Sequence, residues 1–265
     1  MADIKRGDGI GAAVAAIEKK GGPFSTWERL AFPEGPGQRY LGSAIYIAFA
    51  DRSHEFFGKY INWAIDASKR ALEDPRFEIS SENSSKGWMN SPTFPGNLGE
   101  VRAVYAISKA IAEQSSIVEE DLKKSASEIS ESALLNKGRY WNDEIIQGQY
   151  LYAVRLAMIG GDWDGARRLL SVKRKFDVLS RQFEVLLAAS RAAPEGQGES
   201  ADLKFFEEYF ETIRRPDGKD QIYADGASFD TNYRLEFALI RQRLIQDSPA
   251  FPDWGLIFES IYRES

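Results

Sequence analysis

The sequence contains no cysteine and a single histidine, His54, among its 265 residues. The absence of cysteine excludes disulfide bonds, thiolate metal ligands and a cysteine nucleophile. With one histidine, a metal site would have to consist of carboxylates alone. We therefore predict no metal, no cofactor and no catalytic residue.

Long apolar runs are also absent, since no stretch reaches the roughly 18 to 20 apolar residues that a membrane span needs. The opening stretch MADIKRGDGIGAAVAAIEKK is interrupted by Arg6, Asp8 and Glu18, so it predicts a short amphipathic helix rather than a signal peptide. We expect a cytoplasmic protein that does not bind a membrane.

Acidic side chains exceed basic ones, and the excess lies near the C-terminus. The formal net charge is -6, and residues 192–265 alone hold 15 Asp and Glu against 8 Lys and Arg. A negative field repels nucleic acid and attracts a basic partner at a rate that falls with salt. Surface acid also promotes solubility, so the charge by itself identifies no partner.

Helical periodicity dominates the chain. Apolar residues recur at helical spacing in about ten segments, joined mostly by short turns, which predicts an all-α fold, an irregular bundle or array packed as antiparallel hairpins. We predict one domain over residues 1–265, with 1–97 and 98–265 as alternative subdomains. Residues 40–50, YLGSAIYIAFA, fit a buried helix or a strand; we favour a helix continuing through His54 to Leu72, because a lone strand has unpaired edges.

The clearest local prediction is a helical hairpin over residues 142–176. Apolar positions from Ile146 to Met158 form the first helix, and Gly160 and Gly161 allow the turn that ends it. Asp162 is placed to accept hydrogen bonds from the amides that open the second helix.

Two polar stretches without periodicity predict long loops, at residues 75–97 and 216–230. Loops of this length in compact domains often bind something. The first contains the apolar Trp88 and Phe94, which dock on the protein itself or on a partner. The second is acidic, and we predict that a protein partner contacts both loops through Trp88, Phe94, Asp217, Asp220, Asp225 and Asp230.

Carboxylate pairs occur at Asp143-Glu144 and at Asp162 with Asp164. Paired acids serve glycoside hydrolysis or divalent-metal binding. Each pair falls at a predicted helix start, where the helix dipole favours negative charge, so we interpret both as capping residues. The basic run Arg167, Arg168, Lys173, Arg174 and Lys175 is interpreted as a solvated face.

Residues Tyr150 to Leu170, with the GGDWDGA turn, resemble one tetratricopeptide-type helical hairpin. As a whole, the chain is similar in character to the all-helical immunity proteins of bacterial polymorphic-toxin systems: it lacks cysteine, is acidic and aromatic-rich, and shows no catalytic signature. The resemblance implies a non-enzymatic protein that neutralises a toxin by direct contact. It carries no functional residue across.

Three functions are therefore open. The first is an immunity protein that neutralises a basic toxin such as a nuclease, with the acidic C-terminal quarter attracting that toxin. The second is a helical scaffold that presents a concave groove to a peptide or protein partner. The third is a hydrolase that uses carboxylates in a helical cavity, with Asp143, Glu144 or Asp225 as candidates.

Overall fold

The computed structural model describes residues 35–51, 53, 55–73, 95–135, 144–172, 179–193, 200–214, 228–245 and 251–261. These residues form ten α-helices and no strand, so the predicted all-α fold is confirmed for them. The helices are α1 (Gly35–Asp51), α2 (Glu55–Leu72), α3 (Pro95–Glu113), α4 (Glu119–Leu135), α5 (Glu144–Ile159), α6 (Trp163–Leu170), α7 (Ser180–Ala192), α8 (Ser200–Ile213), α9 (Ser228–Ile245) and α10 (Trp254–Ile261).

Helix α2 illustrates how the sequence selects these helices. Its buried side chains follow one stripe at helical spacing: Tyr60, Ile61, Ala64, Ala67, Ser68 and Ala71. Lys59, Asp66 and Lys69 lie between them and are exposed. An amphipathic helix of this kind gains most of its stability from burying the apolar stripe against its neighbours.

Consecutive described helices pack against each other, and α9 also packs along α1 and α5. The contact between α9 and α1 closes the described array, because the last long described helix returns to the first described one. A continuous cluster of buried apolar side chains runs from Tyr40 in α1 to Ile261 in α10. The division at residues 97 and 98 stays a prediction.

The predicted hairpin is present as α5 and α6. The Asp162 carboxylate accepts a 2.7 Å hydrogen bond from the backbone N–H of Gly165, so it caps α6 as expected. Gly161 adopts a φ of 72°, a left-handed conformation that glycine reaches without steric cost. Trp163 is buried beside the turn, which ties the cap to the core.

The segment 40–50 is helical, as favoured, but it does not continue as one helix to Leu72. Helix α1 ends at Asp51 and α2 begins at Glu55. The chain folds back here, so that the Tyr40 ring lies 6.0 Å from the Tyr60 ring and 5.5 Å from the Trp63 ring. This aromatic contact between helices requires the break, and helical periodicity alone does not reveal it.

Two stretches predicted as loops end in residues that are helical. Helix α3 begins at Pro95, inside the stretch predicted as the first loop. Proline is favoured at the start of a helix because a backbone N–H at that position would have no acceptor within the helix, so its absence costs nothing. Helix α9 begins at Ser228, so the backbone of Asp230 belongs to its first turn rather than to the second loop. None of the described helices is long and apolar enough to span a membrane.

Candidate functional site

The side chains predicted to contact a partner lie mostly in stretches that the structure does not describe. Trp88 and Phe94 fall within 74–94, and Asp217, Asp220 and Asp225 fall within 215–227. Asp230 lies in the first turn of α9, where a carboxylate is favoured by the helix dipole. The contacts of these six side chains stay a prediction.

Acidic side chains on the described part of residues 192–265 are largely neutralised within the fold. Five of them form ion pairs: Asp202 with Arg191, Glu207 with Arg241, Glu208 with Lys204, Glu211 with Arg214, and Glu236 with Arg155. The Arg191 and Arg241 pairs link α8 to its neighbours α7 and α9. Asp202, Glu207 and Glu236 therefore link different helices, while Glu208 and Glu211 form local pairs within or at the end of α8.

The other acids of this quarter lie mostly outside the described residues. Residues 194–199, 215–227 and 246–250 together contain six Asp and Glu and two basic residues, Arg215 and Lys219. Two described acids form no ion pair with other described residues: Glu259 of α10, and Asp253, whose carboxylate accepts a hydrogen bond from the Leu256 N–H at the start of α10. The excess of acidic over basic residues in this quarter therefore lies mostly in stretches outside the described residues.

The most unusual feature of the interior is an ion pair that the sequence analysis missed. Arg155 of α5 donates through Nε to the Glu236 carboxylate of α9, and both side chains are only 8% exposed. The residues are 81 positions apart in the chain. Burying two charges is costly unless they are paired and hydrogen-bonded, so the contact between α5 and α9 has to keep this geometry.

Tyrosines surround this pair, which we call the Arg155 centre. The Arg155 guanidinium carbon lies 5.4 Å from the Tyr152 ring and 5.0 Å from the Tyr233 ring, within the range of cation–π attraction. The hydroxyl oxygens of Tyr233 and Tyr209 are 2.5 Å apart, which extends the polar contacts to α8. The centre thus joins α5, α8 and α9.

Burial controls the ionisation of these groups. It raises the pKa of Glu236 above its ordinary value, although the Arg155 guanidinium opposes the rise. Burial also raises the pKa of Tyr152 and of Tyr233, so both phenols stay protonated well beyond neutral pH. For Arg155, burial lowers the pKa, but the Glu236 carboxylate and the two tyrosines more than offset this and its pKa is raised.

The Arg155 centre is suited to fixing helices rather than to proton transfer. A general acid or base needs contact with the group that it protonates or deprotonates, whereas Glu236 is buried and hydrogen-bonded to Arg155.

The sequence carries a signal that could have indicated the ion pair of Arg155 and Glu236. Arg155 interrupts the apolar run LYAVRLAMI, and Glu236 lies directly before the apolar run FALI.

The carboxylate pairs behave as helix-start residues where they are described. Asp162 caps α6, and the Asp164 carboxylate accepts a 2.9 Å bond from Arg167 one turn later. Glu144 begins α5, while Asp143 and His54 lie outside the described residues. Of the two described members of the basic run, Arg168 has the exposed position expected of a solvated face.

Arg167 differs from that expectation because it contacts the next helix. It is partly buried and donates through Nε to the backbone carbonyl of Ser190 in α7, at 3.1 Å. It therefore attaches α6 to α7. The remaining members of the run, Lys173, Arg174 and Lys175, lie outside the described residues.

Within the described ranges, no three or more His, Asp or Glu side chains come together in a group that could hold a metal ion. No known protein family, curated protein or solved structure matches the chain. The function therefore has to be argued from the closed helical body, its charges and its surface.

Proposed function

We propose that this protein acts by contact, as an immunity protein that binds and neutralises a basic bacterial toxin, for which a nuclease domain is the best fit. The observation that supports this over a peptide-binding scaffold is the closure of the array by α9 on α1. A scaffold of helical repeats binds through an open concave surface. A closed body presents its loops and convex faces instead, as expected of a protein that covers another protein's active site.

The distribution of charge supports a basic partner. The acids of α8 are paired with basic side chains, whereas residues 194–199, 215–227 and 246–250 hold six acidic residues against two basic ones. Charges on segments of this kind accelerate encounter with an oppositely charged protein and are screened by salt. A toxin that binds nucleic acid carries the required positive surface.

The first experiment is genetic. The gene beside the one for this chain is cloned, and its product is expressed in a heterologous bacterium with and without this protein. We expect the neighbouring product to be a basic toxin, growth to be restored by co-expression, and the two proteins to co-purify. A neighbourhood that encodes no toxin, or toxicity that persists with both proteins present, would contradict the proposal.

The second experiment reverses the four predicted charges together, with lysine at Asp217, Asp220, Asp225 and Asp230. We expect the association rate with the toxin to fall at low salt, the difference to shrink at high salt, and the urea-unfolding midpoint to stay nearly unchanged. Loss of folding would show instead that these residues are structural.

The matched control introduces lysine at four exposed acids elsewhere on the body: Asp66, Glu73, Glu131 and Glu184. Both variants carry the same net charge, so a general effect of charge is the same in each. An equal loss of association rate in the control would show that the position of the acids is unimportant and would contradict steering by residues 217–230.

The enzymatic alternative has a separate test. Each candidate catalytic acid is replaced by its amide, and the enzymatic activity of the variant is measured: Asp143, Glu144 and Asp225. Turnover of a glycoside or ester substrate by the purified protein, abolished by one of these replacements, would contradict a function by contact alone.

A further inference from the structure

The starts of three helices are joined through one residue, Gln38 of α1. Its side chain donates through Nε2 to the Glu100 carboxylate of α3 at 3.0 Å, and its backbone carbonyl accepts from Nδ2 of Asn232 of α9 at the same distance. Gln38 is the fourth residue of α1, Glu100 the sixth of α3 and Asn232 the fifth of α9. We call these three residues the Gln38 junction.

The ends of α3 and α9 also lie together, away from the junction. Just beyond α3, the carbonyl of Ser115 accepts a 3.0 Å hydrogen bond from the indole N–H of Trp254, which follows α9 along the chain. In the last turn of α9, Arg243 pairs with Glu119 at the start of α4. Arg243 also donates to the carbonyl of Ile159, the last residue of α5, at 2.9 Å. Helices α3 and α9 therefore run in the same direction, and both begin at the end of the body that holds the Gln38 junction.

Directional bonds at the Gln38 junction set the register of α1 against α3 and α9. The core side chains of these helices are apolar, for example Leu41 and Ile45 of α1. Apolar contacts stabilise packed helices but have no preferred direction, whereas a hydrogen bond requires a defined distance and angle. A polar residue between helices fixes register in this way in coiled coils. The junction therefore sets the height at which α3 and α9 begin relative to each other.

The two stretches that we predict to contact a partner join the described body at these helix starts. Phe94 directly precedes Pro95, the first residue of α3, and Asp230 lies in the first turn of α9, two residues before Asn232. Because a helix rises about 1.5 Å per residue, Pro95 is about 7.5 Å along the axis from Glu100, and Asp230 is about 3 Å from Asn232. Both stretches therefore meet the body within about one and a half helical turns of the same junction.

We propose that Gln38 and Asn232 are positioning residues for toxin binding, which hold the starts of α3 and α9 at the spacing that lets both predicted stretches contact one toxin molecule. This inference rests on the proposed function and deepens it, because it concerns how the toxin is held. Neither residue has to touch the toxin. A binding surface whose supports are already fixed loses less conformational freedom on association, and its complex dissociates more slowly.

The double variant Q38M/N232L removes both hydrogen bonds and nearly keeps the size and the charge of the two side chains. Its binding to the purified product of the neighbouring gene is measured by biolayer interferometry at several salt concentrations. We expect Kd to rise about tenfold, almost entirely through faster dissociation, because the helix starts are no longer held in register. We expect the salt dependence of the association rate to stay the same, since no charge is changed.

The matched control is Q242L, which lies on the same helix about 15 Å further along. The Gln242 side chain accepts a 3.0 Å hydrogen bond from the N–H of Asp253, so this variant also removes a hydrogen bond between α9 and another segment. We expect the urea-unfolding midpoint to fall in both variants, but the Kd for the toxin to rise only in Q38M/N232L. An unchanged Kd in Q38M/N232L, or an equal rise in Q242L, would overturn the positioning role.

Hydrogen exchange without toxin separates this inference from the proposed function. By mass spectrometry, we expect the backbone amides of residues 99–104 and 232–237 to exchange several-fold faster in Q38M/N232L, and those of α7 to exchange as in the unaltered protein. If the unaltered protein and Q38M/N232L bind the toxin equally well, the positioning role is refuted while the immunity function stands. If the unaltered protein binds no toxin, the immunity function fails; unchanged exchange at both helix starts would then refute the junction as well, and faster exchange would support its hold on them.

Discussion

Removing the positive charge of the Arg155 centre is the most informative perturbation of this fold. In the variant R155M, the Glu236 carboxylate stays buried in the contact between α5 and α9 without its cation. Breaking one side of a buried ion pair typically destabilises a protein by about 3 to 5 kcal/mol, because the remaining charge is uncompensated. The carboxyl escapes this penalty only by taking up a proton.

Proton uptake gives the penalty a defined pH dependence. Burial already raises the pKa of Glu236, and without the opposing Arg155 guanidinium its folded-state pKa rises further. A carboxyl whose folded pKa exceeds its unfolded pKa loses stability as pH rises from the unfolded value of about 4.3. Each unit above that pH costs about 1.4 kcal/mol, so the destabilisation approaches about 3.7 kcal/mol at pH 7 if the buried carboxyl stays neutral.

Urea unfolding, followed by circular dichroism and tryptophan fluorescence from pH 4.5 to pH 8, measures this dependence. The two signals must coincide, because a free energy of unfolding requires a two-state transition. We expect the difference in unfolding free energy between R155M and the unaltered protein to grow with pH. A difference below about 1 kcal/mol that is also flat across this range would refute the reasoning.

Two further variants of the Arg155 centre serve as controls. In E236Q the remaining buried charge is that of Arg155, which does not lose its proton in proteins. The loss of unfolding free energy in E236Q should therefore be similar to that in R155M at neutral pH, but it should not depend on pH. The double variant R155M/E236Q leaves no charge in the centre. We expect it to be more stable at pH 7 than either single variant, since an uncharged pair of similar size avoids the desolvation cost.

Three further predictions concern single positions. Gly99→Ala should lower the unfolding free energy by about 1 to 3 kcal/mol in urea unfolding, because a Cβ there would lie 2.9 Å from the Ser125 carbonyl oxygen of α4; a gain in stability would contradict this close packing. The pKa of Asp202 is lowered by its hydrogen bonds from Arg191, so the stability it contributes should be lost as pH falls below about 4, and Asp202→Asn should remove that part of the acid sensitivity. Trp163→Ala should cost about 3 to 5 kcal/mol, because its ring is buried under the α5–α6 turn; thermal unfolding with an unchanged midpoint would show that the ring is dispensable.

The helices and the central turn could be predicted from the sequence because their causes are local. Apolar spacing places the stripe of α2 and the core side of α5 without any knowledge of neighbours. The Asp162 cap and the left-handed Gly161 depend on residues within a few positions. The break between α1 and α2 was missed because its cause, the contact of Tyr40 with Tyr60 and Trp63, lies in a different helix.

The sequence by itself therefore determined that this chain is helical, where most of its helices lie, and that acidic residues exceed basic ones near its C-terminus. Only the tertiary structure decided that α9 returns to α1 and that Arg155 meets Glu236 across 81 residues. The physical reason is the distance along the chain over which each interaction acts. Helix formation and capping act over a few residues, whereas the partner of a buried charge and the neighbours of an exposed side chain are fixed only when distant segments pack together.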